Sequence, residues 1–300
     1  MKIILSRKGF DSTSGGCPSP IIRDEILISL PIPDEKDKIK YSDLKFDNQT
    51  YYDLMKSLGM KKLVSDKRCD DLTKNTKCHL DPDIYKDIIK PGEKERKNGW
   101  KSLFGQREVA QGHLNEQKVQ EGDLFLFFGW FKETYKSEDG ENYLFDKSDK
   151  KGRHIIFGYL QIGERIQDKN KIKDWMKYHP HYEDWRKNNT LYVARDTLSW
   201  DNKIPGAGVF KFKKELVLTK NGLSHSKWNL PDFFKNKNIS ISYHSKKSWK
   251  PEGYFQSVGR GQEFVITSGD ESNQKRIENW AKQLISNQLS SGHRRICYIR

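Results

Sequence analysis

The chain has 300 residues and a net charge of +14, from 55 Lys and Arg against 41 Asp and Glu. Its mean hydropathy of −0.90 and its lack of long apolar runs exclude a membrane-spanning helix, and its first residues lack the apolar core of a signal peptide. We therefore expect a cytoplasmic protein with no membrane partner. The basic surplus favours a polyanion as partner, and DNA or a nucleotide fits this requirement.

Cysteine usage agrees with a reducing compartment. The four cysteines, Cys17, Cys69, Cys78 and Cys297, form no C-x-x-C pair, so the sequence gives no indication of a zinc ribbon.

The N-terminal third is predicted to begin with two short strands, in KIILS (2–6) and EILISLPIPD (25–34). They flank a loop as in a wide hairpin or a strand-loop-strand unit. A helix is predicted over 48–60 from its apolar spacing, with Gly59 as the C-terminal cap. A second, shorter helix is predicted over 82–90, with Pro82 in its first turn.

The rest of the chain is predicted to be rich in strands. Continuous apolar runs indicate buried strands, and the clearest helix has one apolar face built from Ile277, Trp280, Ala281, Leu284 and Ile285. The predicted strands are 122–131, 153–166 and 190–194, with later ones in PGAGVFKF and ELVLTKNG; a charged hairpin or insert covers 132–152, and the helix covers 271–289.

This pattern predicts the α+β class, with a mostly antiparallel or barrel-like sheet framed by helices and followed by a C-terminal amphipathic helix. We expect residues 1–300 to form a single large domain with a β-rich core over 100–266.

Part of the strand region resembles the PUA-like barrels. The pattern V-x-x-G-D-x-x-x-F at 119–127 is followed by IIFGYLQIGE at 155–164 and by a polar stretch with His and Pro. The superfamily includes the ASCH, EVE and YTH domains, so this resemblance implies binding of RNA or modified bases.

A second resemblance extends over residues 2–266. The blocks SRKGFDS, SPI, SLPIPD, CHLDPD, GDLFLFFGWF, HIIFGYLQIGE, NNTLYVA, PGAGVF and YHS follow one another as in the nucleotide modification associated domain family, the third of that series. The resemblance implies a bacterial or phage protein linked to DNA base modification. It assigns no reaction and no catalytic residue.

The loop SRKGFDSTSGGCPSPI (6–21) is a candidate phosphate site. Arg7 and Lys8 offer cationic donors, Ser12 offers a hydroxyl, and the backbone of Gly15 and Gly16 can approach an anion closely. In the same loop, Asp11 is a candidate catalytic carboxylate. The alternative is an ordinary turn in which Asp11 or a hydroxyl caps the backbone.

CHLDPD supplies further catalytic candidates. In an extended segment His79, Asp81 and Asp83 face one side, which suits a divalent metal or, for His79 and Asp81, acid–base chemistry. The alternative is that Asp81 caps the helix predicted after it. His113 is a fourth catalytic candidate. The alternative is that it is a structural histidine held by hydrogen bonds.

Six side chains are candidates for contact with a base, because amides read base edges and aromatic rings stack on bases. They are Gln106, Gln111, Trp130, His244, Trp249 and Gln262. The two histidines of HPHYEDW (179–185) could bind a metal, but packing in a surface loop is the favoured interpretation.

The leading hypothesis is an enzyme that acts on a nucleotide or DNA base in a bacterial or phage modification or conflict system. A non-catalytic reader of modified bases and a metal-dependent nuclease are the alternatives. The cofactor stays open, with a divalent metal as one candidate.

Overall fold

The computed structural model describes residues 1–65, 68–91 and 96–289, so Cys297 lies outside the described residues. None of the helices in these ranges is long and apolar enough to cross a membrane.

The helices are α1 (Tyr51–Ser57), α2 (Glu108–Glu116), α3 (Pro180–Glu183) and α4 (Glu271–Leu289). The strands are β1 (Ile3–Arg7), β2 (Ser19–Ile22), β3 (Ile26–Leu27), β4 (Lys45–Phe46), β5 (Gln49–Thr50), β6 (Lys62–Ser65), β7 (Arg68–Asp71), β8 (Leu103–Gln106), β9 (Leu124–Lys136), β10 (Tyr143–Phe145), β11 (Arg153–Ile166), β12 (Thr190–Ala194), β13 (Thr197–Leu198), β14 (Asp201–Pro205), β15 (Ala207–Val209), β16 (Lys227–Trp228), β17 (Ile239–Ile241), β18 (Trp249–Lys250), β19 (Tyr254–Gln256) and β20 (Glu263–Ser268).

A large mixed sheet organises these elements. Its main path runs β17-β20-β1-β9-β11-β12-β8, and β2, β10 and β15 pair at its sides. The strands β1 and β2 run parallel to β9, whereas the other ladders of this sheet are antiparallel. The predicted α+β class and the mostly antiparallel sheet are confirmed.

The sheet bends strongly without closing. Gln106 on β8 donates from Nε2 to Glu263 Oε1 on β20 at 2.7 Å, although four strands separate β8 from β20 along the path. The contact is between side chains, and no ladder of backbone hydrogen bonds closes the described strands into a barrel. The curvature therefore brings the two ends of the sheet together around one polar region.

The strands β9 and β11 have continuous apolar sequences because they lie in the core. Both strands are buried along most of their length, with Phe125 and Phe127 of β9 fully buried against Phe104 and Tyr192. The predicted C-terminal helix is confirmed as α4. Its predicted apolar face packs on this core, with Trp280 only partly buried.

The helix predicted over 48–60 is present as α1. Thr50 accepts a hydrogen bond from the Asp53 N–H, and Asp53 in turn accepts one from Thr50 N, which forms a capping box. Gly59 follows the helix with a positive φ of 81°, as the predicted C-terminal cap requires.

One local prediction is wrong, and of the two arrangements predicted for the first strands the hairpin is not formed. The segment 82–90 contains only a 3₁₀ turn at Lys86–Ile88, because the Asp83 backbone pairs with Leu103 instead of starting a helix. The strand β1 does not form a hairpin with the strand after the loop. Instead it is buried between β9 and β20, which satisfy both of its edges.

Glycine fixes the shape of the loop after β1. Gly15 has a φ of +85°, and a Cβ placed there would lie 2.2 Å from the ring of Phe10. Gly59 has a similar φ of +81° but open space around it. The two positions therefore separate the cost of the backbone conformation from the cost of overlap.

We expect Gly15→Ala to destabilise the protein more than its matched control Gly59→Ala. The control should lose about 1–2 kcal/mol from its left-handed backbone alone. Gly15→Ala should lose about 1–3 kcal/mol more, because the new methyl group overlaps the Phe10 ring. Urea unfolding measures both values, and equal losses would contradict the proposed overlap.

Candidate functional site

A cavity of about 780 Å³ lies where the loop after β1 meets the ends of β8 and β20. Residues from distant parts of the chain line it. They include Arg7, Lys8, Gly9, Asp11, Ser12, Ile32, His79, Asp81, Gln106, Arg107, Trp130, His154, His181, His225, Gln256 and Gln262. The loop after β1 (6–21), which we name the opening loop, and the CHLDPD segment thus share one cavity. The sequence singled them out separately.

Arg7 provides a fixed positive charge in the cavity wall. Its Nη2 donates to the carbonyl oxygens of Gly259 at 2.6 Å and Gly261 at 2.5 Å. Burial lowers the pKa of Arg7, while the charges of Asp11 and Glu263 oppose that shift. A guanidinium stays protonated in proteins, and no described carboxylate lies within ion-pair distance of it.

Lys8 lies deeper and is already paired. Its Nζ is 3.0 Å from Glu263 Oε1, and the two side chains are 7% and 1% exposed. The same ammonium lies 4.4 Å from the centre of the Phe104 ring. Lys8 therefore neutralises a buried carboxylate at the cavity floor and is a weaker candidate than Arg7 for binding phosphate.

The polar groups of the opening loop mostly stabilise the loop. Asp11 Oδ1 accepts hydrogen bonds from Thr13 N, Thr13 Oγ1 and Ser14 N at 2.7–2.8 Å. The N–H groups of Gly15 and Gly16 donate to Val64 O and Asp11 O. They are not available to a phosphate in this conformation, whereas Ser12 lines the cavity with an exposed side chain.

On another part of the wall, His79, Asp81 and His181 converge. One ligand atom from each lies within 4.8 Å of the other two. His79 Nδ1 hydrogen-bonds to Asp37 Oδ2 at 2.7 Å, and Asp81 Oδ1 accepts from Gly105 N at 2.8 Å. His181 Nε2 lies 3.8 Å from Asp81 Oδ2.

The charges of this group are set by burial and by its neighbours. Burial alone would raise the pKa of Asp81, but His179 and His181 outweigh it and hold that pKa far below its usual range. Burial would lower the pKa of His79, but Asp37 more than compensates and raises it. Burial lowers the pKa of His181 to about 3, so its ring is neutral near pH 7.

Asp83 does not join this group. Its carboxylate is buried and pairs with the Arg96 guanidinium, and it also accepts a hydrogen bond from the Tyr178 hydroxyl. The predicted set of His79, Asp81 and Asp83 therefore needs correction: Asp83 is replaced by His181. Asp81 caps no helix, since the segment after it has none.

A third part of the wall carries rings. Trp130 lines the cavity, its Nε1 donates to Lys151 O, and its ring centre lies 5.2 Å from that of His225. His154 is buried behind His225 and accepts a hydrogen bond from Trp228 Nε1 at 3.0 Å. Burial, together with His225 and Arg7, lowers the pKa of His154 well below its usual value.

The two glutamines predicted to contact a base in this cavity differ in whether their side-chain amides are already hydrogen-bonded. Gln106 is buried, and its amide binds Glu263 and the Arg107 N–H. Gln262 is exposed, and its Nε2 has no partner in the part of the chain that the structure describes. Gln262 is thus the better candidate for contact with a ligand.

Besides Gly15, Gly16 and Asp83, four predicted site residues do not line this cavity. Gln111 is buried and bonded to Tyr192, and His113 lies in a separate depression, where it contacts Tyr243. His244 accepts a hydrogen bond from Val258 N and packs on Phe264. Trp249 packs its ring against Phe255, so its position favours a role in the core.

Sequence reasoning missed the importance of His179 and His181. The interpretation of HPHYEDW as a surface loop is wrong for both histidines, because they are 0% and 3% exposed. Two histidines near a carboxylate-bearing motif would have been the available signal. The sequence did not indicate that Glu263 pairs with Lys8, because the two residues are far apart in the chain.

A comparison with known families places this geometry in context. The sequence model of nucleotide modification associated domain 3 matches residues 2–267. The chain belongs to this family. No curated protein and no solved structure matches the chain.

All residues that line the cavity fall within the part matched by the nucleotide modification associated domain 3 family. The family description indicates a role associated with nucleotide modification. It does not distinguish an enzyme from a reader or a nuclease.

We expect Lys8→Met to destabilise the protein by about 3–5 kcal/mol, because it leaves the buried Glu263 carboxylate without its cation. Lys8→Met combined with Glu263→Gln should recover at least half of that loss. Urea unfolding of the three proteins measures this. A Lys8→Met variant as stable as the unchanged protein would show that the pair does not stabilise the cavity floor.

A pH dependence should arise from His154. Its pKa is depressed in the folded state, so below the ordinary value of 6.5 the unfolded chain binds a proton that the folded chain does not. Stability is therefore present above pH 6.5 and falls as the pH falls. Relative to His154→Gln, the unchanged protein should lose about 1.4 kcal/mol more per pH unit below that value.

Unfolding by urea at pH 7, 6 and 5 measures the two slopes. Gln can still accept the Trp228 N–H, so the fold should persist in the variant. Parallel slopes would show that His154 is not held neutral.

Proposed function

We propose that this protein is an enzyme that binds a nucleotide, free or within DNA, and chemically alters its base. One observation carries the proposal: a fixed arginine, Arg7, lines the same cavity as two neighbouring ionisable side chains, His79 and Asp81. Such a cavity has the means to bind an anionic substrate and to move a proton on it. Its volume lies in the range of small-molecule sites, about 300–1,000 Å³.

Arg7 supports the binding half of the proposal. Two backbone carbonyls already orient its guanidinium, so little side-chain entropy is lost when a phosphate binds. Charge-assisted hydrogen bonds from Arg to phosphate are stronger than neutral ones. Trp130 offers a ring for stacking, and Gln262 offers an amide that can both donate and accept.

His79 and Asp81 support the chemical half. Asp81 is held ionised, and Asp37 raises the pKa of His79 above its ordinary value, which favours the protonated ring. A positioned acid or base contributes typically about 10²–10⁴-fold to a rate. The low exposure of the two side chains, 12% for His79 and 4% for Asp81, supports the proposal, because enclosing ionisable groups is costly.

The composition of the wall favours an enzyme over a reader. Trp130 is the one Trp, Tyr or Phe among the described residues that line the cavity. An aromatic cage, as a reader of modified bases would use, needs more than one such ring. Trp249, the other predicted stacking residue, packs elsewhere.

The proposal is tested by incubating the purified protein with each deoxynucleotide and with short duplex DNA, followed by mass spectrometry of the nucleosides. We expect a mass change in one base. Arg7→Ala should weaken binding of that substrate at least tenfold without a large change in melting temperature, because it removes a cationic donor from the wall. Arg276→Ala removes the same charge from exposed α4 and should behave like the unchanged protein.

Other results would overturn the proposal in distinct ways. Unaltered bases with tight binding of modified DNA would identify a reader, and shortened DNA would identify a nuclease. Equal binding by Arg7→Ala and Arg276→Ala would remove Arg7 from the site. DNA binding should also weaken steeply as salt rises, since each neutralised phosphate releases counterions.

A further inference from the structure

We name three side chains the His–Asp–His cluster: His79, Asp81 and His181. Their acceptor atoms face one another. His181 Nδ1 lies 2.8 Å from Asn189 Oδ1, and Asn189 Nδ2 donates to the His181 carbonyl at 2.6 Å. The second contact fixes which end of the amide is oxygen, so His181 Nδ1 must carry the proton. In the neutral ring, Nε2 is then an unprotonated lone pair.

That lone pair faces a carboxylate. His181 Nε2 lies 3.8 Å from Asp81 Oδ2, and no described donor hydrogen-bonds to Oδ2. Two electron-rich atoms that face each other repel unless a proton or a metal ion lies between them, and 3.8 Å is too long for a hydrogen bond. An ion about 2.1 Å from each atom can bridge a separation of this size.

His79 completes the arrangement in the same way. Its Nδ1 lies 2.7 Å from Asp37 Oδ2, and a carboxylate oxygen only accepts hydrogen bonds. Nδ1 therefore carries the proton, and Nε2 remains available as a ligand. A histidine that hydrogen-bonds to a carboxylate through its other nitrogen is the usual support of a metal ligand.

His179 adds an independent observation. It is 0% exposed, and its Nε2 is a buried atom without a hydrogen-bond partner, although it lies 3.4 Å from Asp81 Oδ1. Its Nδ1 accepts from the His181 N–H, so the proton is on Nε2 and points toward Asp81. This group is placed to orient the carboxylate by hydrogen bonding once a cation holds Asp81.

We propose that His79, Asp81 and His181 bind one divalent first-row transition-metal ion, with its remaining coordination positions directed into the cavity. Two imidazoles and one carboxylate suit iron, cobalt, nickel or zinc, whereas magnesium and calcium favour oxygen ligands. All three side chains line the cavity, so a ligand can reach the ion. The binding of the ion does not depend on the proposed function, but its role in chemistry does. An ion held by His79 and Asp81 would replace their direct acid–base role by acidifying a bound water.

A second group of Asp34, Asp37 and His79 also has ligand spacing. It is the weaker candidate, because the contact between His79 Nδ1 and Asp37 Oδ2 is already a short hydrogen bond. The two arrangements compete for His79, and His181 distinguishes them.

The test uses Co²⁺ as the probe, in the absence of any nucleotide. The protein is first stripped with a chelator and then titrated by calorimetry and by visible absorption, which reports coordination by nitrogen and oxygen. We expect one Co²⁺ per chain. Asp81→Asn and His181→Ala should each weaken binding at least 100-fold, and Co²⁺ should raise the melting temperature of the unchanged protein but not of these variants.

His225→Ala is the matched control, because it removes a histidine that lines the same cavity outside the cluster. It should bind Co²⁺ as the unchanged protein does. If it also loses binding, or if Asp81→Asn and His181→Ala keep it, the proposal is overturned. Failure to bind Co²⁺ at millimolar concentration would overturn it as well.

If these variants do not fold, the metal site can be tested directly on the unchanged protein. Crystals soaked in Co²⁺ should give an anomalous difference peak about 2.1 Å from the Nε2 atoms of His79 and His181. A peak elsewhere, or none, overturns the assignment. Because no nucleotide is present, these results are independent of the test of the proposed function.

Discussion

The buried ion pair between Lys8 and Glu263 is the constraint on which the cavity depends. Glu263 begins β20 and Lys8 follows β1, so the pair joins adjacent strands, and Gln106 on β8 binds the same carboxylate oxygen. This carboxylate joins the two ends of a bent sheet where no backbone ladder does. A buried pair of this kind contributes less to net stability than its Coulomb energy suggests, but it tolerates loss of neither partner. The cavity lies beside this pair, so its position depends on both partners being present.

Charge is distributed unevenly around the cavity. Arg7 contributes a cation held by two carbonyls, whereas the His–Asp–His cluster contributes a carboxylate and two lone pairs. An anionic ligand and a metal cation would therefore bind at different parts of the same wall. Under the proposed function, a phosphate would bind near Arg7, away from the cluster.

The sequence predicted part of the site and missed part of it. Arg7, His79 and Asp81, which the sequence singled out as candidates, all line the cavity. Arg7 lies in a polar loop directly after a buried strand, and His79 and Asp81 have spacing suited to shared chemistry. His181 was assigned to a surface loop, since nothing local shows that residues 179–181 pack against a segment 100 positions earlier. Asp83 was included because of alternate spacing, but a contact with Arg96 takes its carboxylate elsewhere.

The sequence by itself determined the α+β class, the long buried strands β9 and β11, α1 with its caps, and α4 with its apolar face. These features depend on periodicity and capping, which involve residues close together in the sequence and can be recognised from one sequence alone. Only the tertiary structure decided that β1 lies between β9 and β20, that residues 82–90 form no helix, and that Gln111 and Trp249 lie away from the cavity. Strand partners, buried ion pairs and convergent ligands depend on contacts between distant residues. Their free energy is set by burial, which local sequence does not specify.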